Sequence, residues 1–299
     1  GYLLKNLVSA GVPCLGIEPT ASTASVAEKL GVPVLREFFG QKLAQSLAER
    51  GRKADLIVGN NVYAHVPDIN DFTRGLAALL QPEGVVTLEF PHLLKLIEQS
   101  QFDTVYHEHF SYFSLHTVCT IFRAWGLKVW DVEELPTHGG SLRVYGAREA
   151  SVRTSKSAVE EILKKERQAG LTKKSTYEGF QVHAERIKKD LLGFLRECKR
   201  QDKKVAAYGA AAKGNTLLNY ARVKSDLLPF VCDAAPSKQG KYLPGSRIPI
   251  KPPIALQEKK PDYLINLPWN LTVEVAREHA YIREWGGRFV IAIPQIQIL

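Results

Sequence analysis

The sequence predicts an α/β protein in which a Rossmann-like domain is followed by a second Rossmann-like α/β domain, with a helical segment between them. Short apolar runs alternate with helical segments through residues 1–150, and the same alternation resumes through residues 204–299. Between them, residues 151–203 are rich in charged residues, and their apolar residues recur at helical spacing. Such alternation is typical of a parallel sheet with helices on both faces. One hydrophobic core rarely serves more than about 250 to 300 residues, so the length also favours two domains.

The first 150 residues show the pattern of a sheet that ends in a hairpin. Apolar runs between helical segments predict strands at residues 13–17, 32–35, 54–58 and 84–90, of which 54–58 is predicted to be buried. Ser114 is predicted to cap a helix that Gly126 ends. The runs 127–132 and 141–145 follow closely, which predicts an antiparallel hairpin at the sheet edge.

The second half begins with the helical segment and continues as a further α/β unit. Within residues 151–203, apolar side chains recur at helical spacing from Phe180 to Cys198, which predicts a long helix pair. Four apolar runs then predict the strands of the second sheet, at residues 205–208, 228–232, 263–266 and 289–292.

Composition restricts the class of protein. Hydrophobic residues make up 45% and charged residues 24%, as in soluble globular domains, and no apolar run reaches the length of about 18 residues that a membrane span requires. The sequence shows no secretion signal, and its four cysteines form no C-x-x-C pair. We therefore expect reduced thiols, a cytoplasmic location, no membrane partner and no metal site in this chain.

The formal net charge of +9 arises largely between Arg153 and Lys204. A solvated basic helix face is the simpler interpretation, and attraction of an anionic substrate such as a diphosphate is the alternative. Nucleic acid is not an expected partner, because the basic residues do not interleave with aromatic ones.

Polar and acidic residues follow the predicted strands of the first domain, where a doubly wound sheet binds its ligands. Glu18 ends one strand and is placed to bind ribose hydroxyls, while Asn60 and Asn61 follow another. Phe38 follows a third strand and is predicted to face a purine ring. The first strand and its glycine-rich turn are expected upstream, with Gly1 as the last glycine of that turn.

A loop rich in histidine and tyrosine joins the strand 84–90 to the helix after Ser114. Its sequence from Phe102 is FDTVYHEHFSYF, so His107, Glu108 and His109 are consecutive. A metal site is one interpretation, although it is short of ligands, and a packing loop with incidental polar groups is another. General acid–base chemistry is favoured, because histidine titrates near neutral pH.

At this loop the sequence resembles a known family. FDTVYHEHFSYFSL, preceded by LEFPHLLKLIE and followed by DVEELPTHGGSLRVY, is similar to the sugar C-methyltransferases of deoxysugar biosynthesis. YGAAAKGNTLLNY, KQGKYLPGSRIPI and PDYLINLPWN agree independently, so the resemblance covers essentially the whole chain.

The resemblance implies a class I methyltransferase domain that uses S-adenosylmethionine, and a Rossmann-like domain that binds a nucleotide-diphosphate sugar. Zinc is implied only in an N-terminal region that has no counterpart here. By the same resemblance, His109 removes the proton next to a sugar ketone, and Glu108 and Tyr106 orient it or stabilise the enolate. His107 remains the rival base, since spacing alone does not separate the two histidines.

Candidate substrate residues lie in the second half of the chain and in the 137–143 turn. Small residues after Tyr208 allow the backbone to approach a phosphate, and Lys213 adds a charge. Asp233 ends the next strand and is expected to hold a ribose or base. The full set of predicted substrate residues is His138, Ser141, Arg143, Tyr208, Lys213, Asn215, Asp233, Lys238 and Tyr242.

Two other functions remain open at the level of the sequence. An NAD-dependent oxidoreductase of a nucleotide sugar would also use two Rossmann-like units, but it requires a G-x-G-x-x-G turn after a strand, which the sequence lacks. A non-catalytic nucleotide-binding module is the second alternative, against which the histidine loop argues. Oligomeric state is undetermined, with a monomer favoured.

Overall fold

The computed structural model describes residues 1–299 and divides into two compact units. The first unit contains residues 1–88, 117–132 and 144–159, and the second contains residues 89–116, 133–143 and 160–299. The fold thus groups the histidine loop with the C-terminal sheet, whereas the predicted boundary at residue 150 kept the loop in the first domain. Packing explains the grouping, because Phe102 belongs to the same buried core as the second sheet.

Up to residue 148 the chain forms six helices and six strands: α1 Leu4–Ser9, β1 Gly16–Ile17, α2 Ala21–Lys29, β2 Val34–Leu35, α3 Gln41–Glu49, β3 Ala54–Asn60, α4 Ile69–Leu79, β4 Leu80–Pro91, α5 Leu93–Glu98, α6 Leu115–Ala124, β5 Leu127–Leu135 and β6 Ser141–Arg148. Local chemistry sets these boundaries. The Asp68 carboxylate accepts a hydrogen bond from the Asp71 N–H and caps α4, for example, and the left-handed Gly126 follows α6.

The strands of this part of the chain form two sheets. β1 and β2 pair in parallel, and the remaining strands have the order β3-β4-β6-β5. β5 and β6 are neighbours at the end of that sheet, as predicted. The prediction that residues 54–58 form a buried strand is wrong: β3 is an edge strand with fewer neighbours, so Leu56 and Val58 are 53% and 36% exposed.

After residue 148 the chain forms a further six helices and six strands: α7 Ser157–Gln168, α8 Ser175–Glu178, α9 Phe180–Arg200, β7 Val205–Tyr208, α10 Ala212–Tyr220, β8 Val231–Cys232, β9 Ile250–Lys251, α11 Ile254–Lys259, β10 Tyr263–Asn266, α12 Thr272–Glu278, β11 Arg288–Ile291 and β12 Gln297–Ile298. The segment predicted as a long helix pair is helical, but it contains the short helix α8 between α7 and α9. The predicted apolar stripe of α9, including Ile187, Leu191 and Leu195, is buried in the second core. None of the helices combines the length and apolar character needed to cross a lipid bilayer.

The second sheet has the order β12-β11-β10-β7-β8-β9 and is parallel except for β12. From β7 the chain builds outward to β8 and β9, and then returns to the other side of β7 to form β10. The direction of winding therefore reverses between β7 and β10. In sheets of this kind, ligands bind at the carboxyl ends of the two strands that flank the reversal.

Candidate active site

His109 lies in the second unit and is half-buried. Its Nδ1 atom lies 2.9 Å from the carbonyl oxygen of Thr104. Because a carbonyl can only accept, Nδ1 carries the proton, and in the neutral ring the lone pair is on Nε2. The Tyr106 ring stacks at 4.3 Å between ring centres and Tyr112 approaches edge-on at 5.9 Å. The ring is thus fixed in both its direction and its tautomer.

The other predicted groups of the loop differ in exposure. Tyr106 is half-buried, and burial, followed by the negative charges of Glu108 and Asp103, raises the pKa of its hydroxyl, which therefore keeps its proton and can donate a hydrogen bond. His107 and Glu108 are exposed. The Thr104 carbonyl, which the sequence did not suggest, holds Nδ1 of His109, and Tyr106, one of the two suggested orienting groups, stacks on its ring.

A buried carboxylate at the end of β4 organises the turn before β6. Glu89 accepts hydrogen bonds from the Thr137 hydroxyl and the Arg143 guanidinium, both at 2.9 Å, while the Ser141 hydroxyl donates to the Thr137 carbonyl. His138 has a φ of +56° within this turn. Burial and the nearby Lys213 lower the pKa of His138, which favours its neutral form.

The loop between β7 and α10 approaches the second sheet closely. Gly209 has a φ of +95°, and a Cβ there would lie 2.4 Å from the Pro268 ring. A Cβ on Gly214 would lie 2.8 Å from Leu267, so α10 packs tightly on the end of β10. No side chain caps the start of α10. A tight glycine turn followed by an uncapped helix N-terminus is a favourable place for phosphate.

Lys213 lies beside the carboxyl ends of β7 and β10, which are called the crevice of the second sheet below, and it bridges several segments. Its ammonium donates to the His138 carbonyl at 3.3 Å and to the Asn270 side-chain oxygen at 3.2 Å, and it lies 4.5 Å from the centre of the Trp269 ring. Burial lowers its pKa, an effect that the negative charge of Asp103 opposes. The predicted phosphate-binding lysine therefore also braces the 137–140 turn.

Asp233, at the end of β8, shapes the same crevice through its carboxylate. Its oxygens accept from the Ala210 N–H at 2.7 Å, the Ala235 N–H at 2.9 Å and the Lys238 ammonium at 3.1 Å. These contacts fix the backbone of the β7–α10 loop. The prediction of a ribose or base contact for Asp233 is compatible with its remaining acceptor capacity.

The remaining predicted substrate residues are spread from the core to the surface. The Tyr208 ring lies 4.3 Å from that of His279, and burial raises the pKa of Tyr208 to about 12. The Asn215 side-chain oxygen is buried without a hydrogen-bond partner. Tyr242, by contrast, is 65% exposed.

The predicted cofactor residues belong to the first unit and are more open. Glu18 directly follows β1 and accepts from the Thr20 N–H through one carboxylate oxygen, at 2.8 Å. Asn60 ends β3, and Asn61 follows with a φ of +52°. Phe38 is 84% exposed. The Gly1 backbone packs on α2, because a Cβ there would lie 2.8 Å from Ala27.

Four residues of the second unit were not singled out from the sequence: Glu89, Asp103, Thr104 and Trp269. Glu89 could have been predicted from the sequence, since an acidic residue near the end of an apolar strand often faces a binding site. Asp103 lies within the histidine loop, yet its partner is the Trp269 indole N–H at 2.8 Å, 166 residues away. Thr104 acts through its backbone, which side-chain patterns do not reveal.

Comparison with known proteins identifies the family. Residues 136–294 match the model of the C-methyltransferase C-terminal domain, and residues 1–132 match a methyltransferase domain. The chain is 38% identical over 299 residues to the C-methyltransferase NovU of Streptomyces niveus, which covers all of this chain and 71% of NovU. The chain belongs to the C-methyltransferase family. The resemblance inferred from the loop motifs is confirmed.

More distant similarity concerns parts of the chain. A ubiquinone biosynthesis O-methyltransferase of Methylobacterium sp. (strain 4-46) is 30% identical over 89 residues, which is 28% of this chain and 34% of that protein. A solved SAM-dependent methyltransferase of Thermotoga maritima matches with 20% identity and a TM-score of 0.36, over 48% of this chain and 75% of that one.

The family membership makes this protein a SAM-dependent methyltransferase that acts on carbon, with the predicted Rossmann-like fold class. The NAD-dependent oxidoreductase and the non-catalytic module are thereby set aside. Residues present in the first unit suit the adenosine half of S-adenosylmethionine: the second carboxylate oxygen of Glu18 is available to a ribose hydroxyl, and the exposed Phe38 ring offers a face to adenine.

Proposed function

We propose that this C-methyltransferase methylates the carbon next to the ketone of a 4-keto-deoxysugar carried on a nucleoside diphosphate, with thymidine diphosphate as the carrier. The observation that supports it best is the hydrogen bond from His109 Nδ1 to the Thr104 carbonyl. It presents Nε2 as the basic atom. A C–H next to a ketone is acidic enough for an imidazole with a pKa near ambient pH to remove it.

In the proposed mechanism, Nε2 of His109 takes the proton and the electron pair passes to the ketone oxygen as an enolate. The Tyr106 hydroxyl, which keeps its proton because burial raises its pKa, donates a hydrogen bond to that oxygen. S-adenosylmethionine, when bound, supplies an electrophilic methyl group for the new carbon–carbon bond. His109 must later return its proton to solvent, to which the exposed side of the loop gives access.

The nucleotide is proposed to bind at the carboxyl ends of β7 and β10. The uncapped start of α10 and Lys213 receive the diphosphate, and Asp233 holds the β7–α10 loop in the shape that this requires. Lys238, which donates to Asp233, and the exposed Tyr242 are proposed to contact the nucleoside. Asn215 offers a buried oxygen without a partner.

The sugar is proposed to contact the 137–143 turn. His138 is kept neutral by burial and can exchange hydrogen bonds with sugar hydroxyls. Arg143 is tied to Glu89 and remains partly exposed, while the Ser141 hydroxyl serves mainly to hold the turn.

The proposed setting is the cytoplasm, with a monomeric enzyme that binds neither nucleic acid nor membrane. All four cysteines are free, which suits a reducing compartment.

The test uses the protein with S-adenosylmethionine carrying a ¹³C-labelled methyl group and a thymidine diphosphate 4-keto-deoxysugar. Nuclear magnetic resonance of the product should show a new C–CH₃ group on the carbon next to the ketone. A matched thymidine diphosphate sugar without the ketone should remain unmethylated. Methylation of an oxygen, or equal methylation of both sugars, contradicts the proposal.

A further inference from the structure

Asp103 is a buried acid that the proposed mechanism does not use. Its side chain has no exposed surface; one carboxylate oxygen accepts from the Trp269 indole N–H, and the other has no hydrogen-bond partner. A buried, half-satisfied carboxylate is unfavourable for folding and calls for a functional explanation. Burial raises its pKa, although Trp269 and Lys213 oppose that effect.

Through Trp269, Asp103 is tied to the crevice of the second sheet. Trp269 lies just beyond the end of β10, where the winding of the sheet reverses. The Lys213 ammonium lies over its ring and also donates to the neighbouring Asn270. Trp269 is therefore part of the wall at which ligands of such sheets bind.

Through the backbone, Asp103 is tied to His109. Asp103 is the middle residue of a short 3-10 turn, Phe102–Thr104, and the next carbonyl along the chain, that of Thr104, holds Nδ1 of His109. The Trp269 indole is thus linked to the imidazole of His109 by a short chain of contacts. The indole binds the Asp103 side chain, and the next residue, Thr104, holds Nδ1 of His109 through its carbonyl.

Tight packing leaves this connection little freedom. A Cβ at Gly139 would lie 2.3 Å from the Trp269 ring, so the ring rests directly on the turn backbone. The Gln101 side chain donates to the Gly139 carbonyl at 2.8 Å, which ties the start of the histidine loop to the same turn. Any shift of the indole must move the 3-10 turn or break these contacts.

We propose that Asp103, held by Trp269, is a positioning residue that fixes the Thr104 carbonyl and thereby the tautomer and direction of His109. The role of His109 as base rests on the proposed function, whereas the positioning itself is a property of the protein without substrate. The second sheet then contributes to deprotonation as well as to binding of the nucleotide.

The test compares Trp269→Phe with Trp285→Phe. Each variant loses one indole hydrogen bond of the second unit, but Trp285 donates to the Pro261 carbonyl, away from the histidine loop. The first readout is ¹⁵N resonance of histidine-labelled protein without substrate, with His109→Asn to assign the signal. The Nδ1-protonated tautomer should dominate in the unsubstituted protein and in Trp285→Phe, and give way to a mixture in Trp269→Phe.

The second readout is labelled methyl transfer. In Trp269→Phe we expect kcat to fall about tenfold or more, with the KM for the sugar nucleotide changed less than about threefold, since misplacing a catalytic group affects chemistry more than binding. Asp103→Leu, which roughly keeps the side-chain volume but has no acceptor for the Trp269 indole N–H, should lower kcat similarly and serves as the test if Trp269→Phe does not fold. The double variant should be no worse than the poorer single variant, because the two residues act as one unit.

Three results would overturn the proposal: equal effects of Trp269→Phe and Trp285→Phe, an unchanged His109 tautomer in both Trp269→Phe and Asp103→Leu, or additive losses of kcat in the Trp269→Phe/Asp103→Leu double variant. The tautomer readout separates this outcome from failure of the proposed function. If the resonance shifts as expected but no keto-sugar is methylated, the positioning stands and the substrate assignment fails.

Discussion

The two groups of candidate site residues are built differently. In the first unit, Glu18 follows a two-residue strand and Phe38 is 84% exposed. In the second unit, Asp103 and Thr104 are buried, and His109 is held by a backbone carbonyl. The groups proposed for deprotonation are therefore held by hydrogen bonds and packing within the protein, whereas Glu18 and Phe38, which are proposed to bind the cofactor, are not buried. Changes in the second unit should affect chemistry strongly, and changes in the first should affect binding of S-adenosylmethionine modestly.

The largest effect is expected for His109→Asn. Loss of a general base typically lowers turnover by about a hundredfold to ten-thousandfold, so we expect kcat for labelled methyl transfer to fall about a thousandfold. His107→Asn is the matched control, because His107 is exposed and two residues away, and it should change kcat by less than about threefold. The opposite pattern would make His107 the base.

The second effect concerns stability and Asp103. Burial raises the pKa of Asp103 from 3.8 to about 6, while Trp269 and Lys213 oppose that shift. The folded chain thus holds this proton more tightly than the unfolded chain. The free energy of unfolding should therefore fall as pH rises from about 4 to about 6, and the loss should persist above that range.

Asp103→Asn lacks this titration. One pKa unit corresponds to about 1.4 kcal/mol. As pH rises from about 4 to about 6, the unfolding free energy of the variant, measured relative to that of the unsubstituted protein, should therefore rise by up to about 3 kcal/mol. Urea unfolding of both proteins at about pH 4 and about pH 7 measures the difference. A difference that does not change with pH would show that the carboxyl titrates normally, and would weaken the contrast between the two units.

Lys213→Ala should weaken nucleotide binding. A hydrogen bond to a charged group contributes about 1.5 to 3 kcal/mol, so we expect the Kd for thymidine diphosphate alone to rise about tenfold to a hundredfold. Lys224→Ala is the control, since its ammonium also donates to a backbone carbonyl, that of Gly245, without reaching the crevice. Calorimetric titration of each variant with thymidine diphosphate measures the two Kd values. Similar Kd values for both variants would remove Lys213 from the diphosphate site.

The smallest effect is expected in the first unit. Glu18→Gln keeps the shape of the side chain and should weaken the proposed hydrogen bond to a ribose hydroxyl, so we expect the KM for S-adenosylmethionine to rise about threefold to tenfold with kcat little changed. Glu49→Gln, at the exposed end of α3, should leave both constants unchanged. A fall in kcat at constant KM would contradict the assignment of Glu18 to cofactor binding.

Much of the fold was predictable because it depends on local periodicity. The alternation of strands and helices, the long helix α9 and the neighbouring β5 and β6 follow from apolar spacing alone. The exposure of Leu56 was not predictable in this way, since an apolar run has the same appearance whether its strand is central or at an edge. The edge position of β3 depends on which strands pair, and pairing is not a local property.

The site was predictable only where side-chain type carries the chemistry. The histidine loop was recognisable because two histidines and two tyrosines are unusual within seven residues. The support of His109 by a backbone carbonyl leaves no trace in side-chain pattern. The cap of α6 shows the same limit: the Glu166 carboxylate, on α7, accepts from the Leu115 and His116 N–H groups, about fifty residues away along the chain.

The most direct test of the central claim is exchange of the sugar proton in heavy water without S-adenosylmethionine. In the proposed mechanism, deprotonation by His109 involves only groups of the second unit. The enzyme should therefore replace the hydrogen next to the ketone of the thymidine diphosphate keto-sugar by deuterium, while His109→Asn should not. Deuterium incorporation by His109→Asn at the unsubstituted rate, or methylation by the unsubstituted enzyme without any such exchange, would contradict the account.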